Sequence, residues 1–292
     1  APLELSAEWL LEQGITEIEQ QSPHSVTVPT AIDAWVQLNR DYGSKPLSDL
    51  LQPAIDYARD GFPISHRVAE DFASCHDLLA GDADIAGVYL KNGEDYKHGD
   101  RCSNPNLAKT LEAVAAHGRD GFYKGWVAED LLGKLQSLGG RHTQRDLDMA
   151  LANYVTPIKS NFCGYDIWEC PPNGQGVIAL MLLNIMSGVD KFGDHPLSVD
   201  RIHHEIEAGR IAYRDRNLYL ADPEFSDVPV DQMLSADYAA AICAQINPDK
   251  AYADLPPTTL PPHKHTVYIT VVDKDRNACS LINTVFHSFG AG

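Results

Sequence analysis

The chain has 292 residues, 44% hydrophobic and 22% charged, an ordinary globular composition sufficient for one large domain or two small ones. Asp and Glu total 41 against 23 Lys and Arg, and no basic block offsets the net charge of −18, so the chain's field repels nucleic acid and anionic membranes. The longest apolar run, 177–186, is too short to span a bilayer. Neither nucleic acid nor membrane is therefore an expected partner.

The first 150 residues read mostly as helices. Residues 3–13 are amphipathic and stop at Gly14. Thr30 is placed to cap 31–39, and 46–59 carry Leu47, Leu50, Leu51, Ile55 and Ala58 at helical spacing before Gly61. Ser65 opens a helix that runs on to Leu78 and Leu79. Further helices are expected at 106–116 and 127–138, each ending at glycine, and Thr143 with Asp146 forms a start of the capping-box type.

The pattern then changes. Two alternating stretches, 155–160 and 165–169, joined through 161–164, predict a β-hairpin over 155–169. Pro171 to Gly176 lead into an apolar helix, 177–186. Ser198 caps a long helix to about Leu220, with Ile202, Ile206, Gly209 and Tyr213 on one stripe, and Ser235 caps 236–246. Residues 247–265 hold Pro248, Pro256, Pro257, Pro261 and Pro262, a density that forbids helix and central strand and predicts an extended, exposed, mobile linker. Residues 266–272 and 278–286 then read as strands around a polar turn.

Six cysteines, none in a CxxC pair, give no zinc or redox motif and are expected reduced and buried; a bridge between Cys163 and Cys170 across the hairpin is the lesser alternative. The start, Ala1-Pro2-Leu3, has no basic region or signal-type apolar core, which leaves a cytoplasmic or periplasmic location open and suggests a piece of a longer chain.

The strand opening at Thr266 carries a chemical option. If the His265–Thr266 peptide is cut, the threonine hydroxyl stands beside its own α-amine, which titrates near neutrality and can take the hydroxyl proton. On its own, a threonine at a strand start is simply a β-branched residue suited to a sheet. Other motifs are weaker. Pro171 to Gly176 lack the P-loop lysine and read as a tight strand-to-helix turn. His203-His204-Glu205 does not match HExxH, and adjacent helical residues point apart. Asp215, Arg216 and Asp222 read as a salt-bridge network rather than substrate contacts, and Glu94-Asp95 with Lys97-His98 as a solvated loop.

Residues His265-Thr266-Val267-Tyr268-Ile269-Thr270-Val271-Val272-Asp273 through Thr284, with Phe289-Gly290-Ala291-Gly292, resemble the start of the small subunit of γ-glutamyltransferases (γ-glutamyltranspeptidases), members of the N-terminal-nucleophile hydrolases. Upstream, His24 to Pro29 with Trp35, Tyr42-Gly43, Leu50 to Ile55, Ala58 to Phe62, Asp120 to Tyr123, Pro171-Pro172 with Gly174 and Gly176, and Asp215-Arg216-Asn217 with Asp222-Pro223 resemble the large subunit. The resemblance implies an α+β fold, part of an αββα sandwich whose visible part is mainly helical. It implies a large-subunit portion at 1–265 and a small-subunit start at 266–292.

The same resemblance makes Thr266 the nucleophile released by self-cleavage after His265, and Thr284 its hydrogen-bonding partner; a cross-strand threonine that merely favours the sheet remains the alternative for Thr284. No metal or organic cofactor is implied. The implied partners are a γ-glutamyl or related acyl-amide donor, a water or amine acceptor, and the two subunits of one precursor. Two positions depart from the pattern. Val267 stands where threonine is usual, and Phe286 replaces an asparagine that contacts the substrate α-amine, a bond that a phenyl ring cannot accept. Glutaryl- or cephalosporin-type acylase activity, or a non-processing, non-catalytic member, is thus the alternative reading. The family's oxyanion-hole glycines and carboxylate-binding arginine fall outside these 292 residues, so the piece is expected to be inactive alone.

Overall fold

The computed structural model describes residues 1–189, 195–252, 268–285 and 288–291. The fold is α+β: helices dominate, and the described strands form three separate two-stranded antiparallel ladders. The chain divides into two compact units, Ala1–Asn153 with Pro262–Gly292, and Tyr154–Pro261. No described helix is long and apolar enough to cross a membrane.

In the first unit, side-chain caps set several helix starts, because each satisfies backbone N–H groups that the helix leaves without partners. Ser6 caps α1 (Ala7–Glu12), so this helix is shorter than the 3–13 expected. Next come α2 (Ala31–Tyr42) and α3 (Leu47–Asp60), and Gly61 stops α3 with a positive φ of 81°. A short strand, β1 (Phe62–Pro63), leads to α4 (His66–Ser74), capped by Ser65. The expected continuous helix breaks at Cys75, and α5 (His76–Ala80) begins anew. Asp82 caps α6 (Ala83–Tyr89), which the sequence reading did not foresee. Strand β2 (Arg101–Cys102) pairs with β1. Then α7 (Pro105–His117) starts at Asn104, with proline at a first-turn position where its missing N–H costs nothing. Helices α8 (Asp120–Tyr123), α9 (Gly125–Ser137) and α10 (Gln144–Asp148) complete this run.

The main core of this unit gathers Ile55, Leu111, Val114, Tyr123 and Leu147. Each such side chain fully withdrawn from water stabilises by roughly 1.5–3 kcal/mol. Gly121 is required where α8 meets α7, because a Cβ there would overlap the Ala113 carbonyl. Asp33, 3% exposed, pairs with Arg119 at 3.0 Å and accepts the Ala152 N–H at 2.7 Å. The expected capping interaction is present: the Asp146 carboxylate accepts the Thr143 N–H and hydroxyl, both at 2.7 Å, and also the Leu3 N–H at 2.7 Å. Burial acts to raise the Asp146 pKa, but these donors outweigh it and hold the carboxyl below the usual range.

In the second unit, β3 (Ile158–Phe162) and β4 (Tyr165–Glu169) form the expected hairpin in the register Ile158↔Glu169 to Phe162↔Tyr165. The turn is tighter than predicted: Cys163 and Gly164 alone make it, both left-handed at φ 50° and 84°, as a two-residue hairpin requires. Ile158 and Phe162 pack onto α11 (Gly176–Ser187), whose Val177, Met181 and Ile185 are fully buried. Helix α12 (Val199–Tyr219) crosses α11 through Ala208, Ile211 and Ala212. The small alanines admit close approach, so the Ile202–Ile206–Tyr213 stripe singled out by its spacing stays at the surface, Ile206 56% exposed. Two further helices, α13 (Val230–Met233) and α14 (Ala236–Cys243, capped by Ser235), close this core.

Back in the first unit, β5 (Tyr268–Val272) and β6 (Ala278–Ile282) pair as the final hairpin. All six cysteines are unbridged, but only Cys102 is buried. Cys163 lies in a turn and Cys279 on an exposed strand, where the ladder leaves nothing to cover them.

Candidate active site

The β5–β6 ladder runs in strict register from Tyr268↔Ile282 to Val272↔Ala278. Its turn is closed by backbone bonds, Asp273 N–H to the Asn277 carbonyl at 3.0 Å and Arg276 N–H to the Asp273 carbonyl at 3.1 Å, and braced by one carboxylate. Asp273 accepts the Asp275 N–H at 2.9 Å, the Asn277 N–H at 2.8 Å and the Asn277 side-chain amide at 2.9 Å. The Asn277 side chain is the main reason the Asp273 carboxyl is held below the ordinary range. A fixed turn fixes register, and a one-residue slip would exchange the two faces of both strands. On one face Tyr268 and Ser280 share a 2.7 Å hydroxyl bond. Neither face is covered: Val272 is 61% exposed on one and Val271 56% exposed on the other.

Thr284 stands exposed just beyond β6. The other sequence-predicted site residues, His265, Thr266 and Phe286, and the departing Val267, lie outside the described residues, as does most of the proline-rich linker. A hydroxyl such as that of Thr284 both donates and accepts, and so can orient a neighbouring hydroxyl or amine without a charge of its own.

The start of the linker is held by a device the sequence reading missed. On α12, His203, Glu207 and Arg210 follow one another along a single face. The His203 Nε2 bonds the Asn247 carbonyl at 2.7 Å. Glu207 accepts the Tyr252 N–H at 2.7 Å while Arg210 donates to the Tyr252 carbonyl at 2.7 Å, and Glu207 and Arg210 pair with each other at 2.7 Å. Glu207 is 2% exposed; burial opposes its charge, but Arg210 and the Tyr252 N–H outweigh it and lower its pKa. This clasp gives His203 a structural task. His204 turns instead to the Asp200 carbonyl and Glu205 to Arg201, so the three adjacent side chains point apart as expected.

The Asp215 network is also structural, with Arg214 rather than Arg216 as its cation, at 2.8 Å. Asp215 also accepts the Tyr238 hydroxyl, whose pKa burial and the carboxylate together push up to about 12. Pro171 to Gly176 form a turn into α11, and Gly176 is needed because a Cβ would come within 2.7 Å of the Cys170 carbonyl oxygen. Glu94, Asp95, Lys97 and His98, read as a solvated loop, line a cleft of about 570 Å³ with His66 and His76. There Asp95 bonds the His76 Nδ1 at 2.7 Å and raises its pKa. Among the described residues, no group of three His, Cys, Asp or Glu is arranged to hold a metal ion.

The family model for gamma-glutamyltranspeptidase matches residues 1–292. The chain is 35% identical to a glutathione hydrolase proenzyme of Pseudomonas sp. (strain A14) over 302 residues, covering 100% of this chain and 52% of that protein. Among solved structures, a cephalosporin acylase from Bacillus halodurans superposes with a TM-score of 0.90 at 32% identity, over 100% of this chain and 54% of that one. The Helicobacter pylori γ-glutamyltranspeptidase superposes with a TM-score of 0.80 at 30% identity, over 86% of this chain and 74% of that one. The chain spans about half the length of the curated relatives it matches. Matched from end to end and paralleled at this level by such relatives, the chain belongs to the γ-glutamyltranspeptidase family.

Proposed function

We propose that the full-length protein is a self-processing acyltransferase or amidohydrolase in which Thr266 is the nucleophile. Cleavage of the His265–Thr266 peptide divides a large subunit, which includes residues 1–265, from a small subunit that begins at Thr266. Thr266 Oγ then attacks the carbonyl of an acyl amide, and its freed α-amine takes the hydroxyl proton and passes it to the departing amine. Water or a second amine releases the acyl group. Because the base is an α-amine, activity should rise as pH climbs through the near-neutral range in which such an amine loses its proton.

One observation carries the reading: the β5–β6 register. The ladder's last pair is Tyr268↔Ile282, and Thr266 and Thr284 each stand two residues beyond it in sequence, which supports Thr284 as the group that orients the nucleophile. Substituting Thr266 by Ala tests it; an unprocessed precursor without turnover is expected, and wild-type cleavage in that variant removes the assignment.

Phe286 favours a second reading for the donor. Without an acceptor for an α-amine at this position, a glutaryl-type acyl group fits better than γ-glutamyl. The similarity to a cephalosporin acylase supports that choice. Comparing kcat/KM for γ-glutamyl and glutaryl anilides decides between them: the acylase reading expects the glutaryl substrate to be preferred and Phe286→Asn to shift the preference toward γ-glutamyl.

A further inference from the structure

The β5–β6 hairpin exposes both faces, so burial of the ladder does not hold it in place. Among the described residues after 267, Phe289 alone belongs to an apolar cluster of the fold. Its ring lies 5.3 Å from Phe72 of α4 and 5.1 Å from Tyr89 of α6, and Phe72 in turn lies 5.8 Å from Tyr96. Beneath these rings sit Ile64 and Cys102, both buried.

The backbone at this anchor is unusual. Phe289 and Gly290 are successive left-handed residues, at φ 61° and 68°. The other non-glycine residues with positive φ sit in tight connections between paired residues: Asn92 inside the Lys91↔Glu94 bridge, Cys163 inside Phe162↔Tyr165, and Arg276 inside Val272↔Ala278. Phe289 closes no ladder among the described residues. A bulky side chain pays for a left-handed backbone only where its surroundings over-determine it. The anchor is also close to the end of β6, since a Cβ added to Gly290 would meet the Val285 Cβ at 3.6 Å. Val285 follows Thr284 directly.

We propose that Phe289 is a positioning residue: its ring, locked into the Phe72–Tyr89–Tyr96 cluster, fixes where the end of β6 and Thr284 stand. The inference rests on the assignment of Thr266 and Thr284 made above. Through Thr284, Phe289 controls the rate of self-cleavage and of acyl transfer without touching the reacting atoms. A misplacement of about 1 Å at such a site costs on the order of 10²-fold in rate.

The test uses the full-length protein. Phe289→Ala should slow the appearance of the fragment beginning at Thr266 by about 10²-fold and lower kcat in the processed enzyme with little change in KM. Phe289→Tyr, which keeps the ring, should restore both. Leu132→Ala, in the other core of the same unit, should lower the melting temperature yet cleave at the wild-type rate. Where Phe289→Ala does not accumulate folded, Phe289→Leu takes its place. A second readout does not depend on cleavage: in a Thr266→Ala background, Phe289→Ala should speed amide hydrogen exchange over 278–285 and leave 47–60 unchanged. Wild-type cleavage in Phe289→Ala, or unchanged exchange over 278–285, overturns the proposal. Failure of the Thr266 assignment shows separately, as cleavage of the Thr266→Ala precursor.

Discussion

The two longer hairpins are built to the same length and used differently. Both pair five residues with five, yet β3–β4 lays Ile158 and Phe162 onto α11, while β5–β6 leaves both faces open. Their turns differ to match. The packed hairpin closes through two left-handed residues, Cys163 and Gly164, and its register is secured by the face it buries. The open hairpin has no buried face, and its register depends on its turn, where backbone bonds join the Asp273 carboxylate and its three donors. An isolated two-stranded hairpin is marginal in water. Among the described residues, the hairpin beside the proposed chemistry is therefore held by a turn and an aromatic anchor rather than by a buried face of its own.

The largest effect separates chemistry from stability: Thr266→Ala is expected to abolish self-cleavage and turnover while the thermal transition of the precursor stays within about 0.5 kcal/mol of wild type. Next, Phe162→Ala on the packed hairpin should cost about 2–3 kcal/mol in urea unfolding, somewhat below the full cost for a buried phenylalanine because Phe162 is only half buried. The corresponding change on the open hairpin, Ile269→Ala, should stay within about 0.5 kcal/mol; equal losses from the two would erase the contrast. The turns predict opposite signs. Gly164→Ala should destabilise by about 1 kcal/mol because φ is 84°, and Arg276→Gly should stabilise by a similar amount because φ is 66° at a residue with a Cβ. Smallest is the response to acid. The Asp273 carboxyl titrates lower when folded than unfolded, so its contribution is complete above the ordinary aspartate range and fades as pH falls through the depressed folded value. The amide signals of Asp275 and Asn277 should broaden together there.

Local signals were readable in the sequence. Ser65, Ser198 and Ser235 each cap the helix they were expected to open, and the Thr143–Asp146 capping interaction is present. The failures have local causes as well: α6 is short, contains Gly87, and starts from an aspartate with no long apolar period behind it. Periodicity found an apolar stripe on α12 but not which stripe is buried, because Ala208 and Ala212 win by being small rather than strongly apolar. The Tyr252 clasp and the Phe289 anchor were not legible. Each joins residues more than forty positions apart through backbone groups or ring contacts that no spacing encodes. The proposed nucleophile itself was found by chemistry and resemblance, from a threonine after a proline-rich run.

The most direct measurement is N-terminal sequencing of the smaller fragment formed by the purified full-length protein. The account predicts a fragment that begins Thr266-Val267-Tyr268-Ile269 and is absent from the Thr266→Ala variant. A fragment starting elsewhere, or a fully active protein with the 265–266 peptide intact, would contradict it.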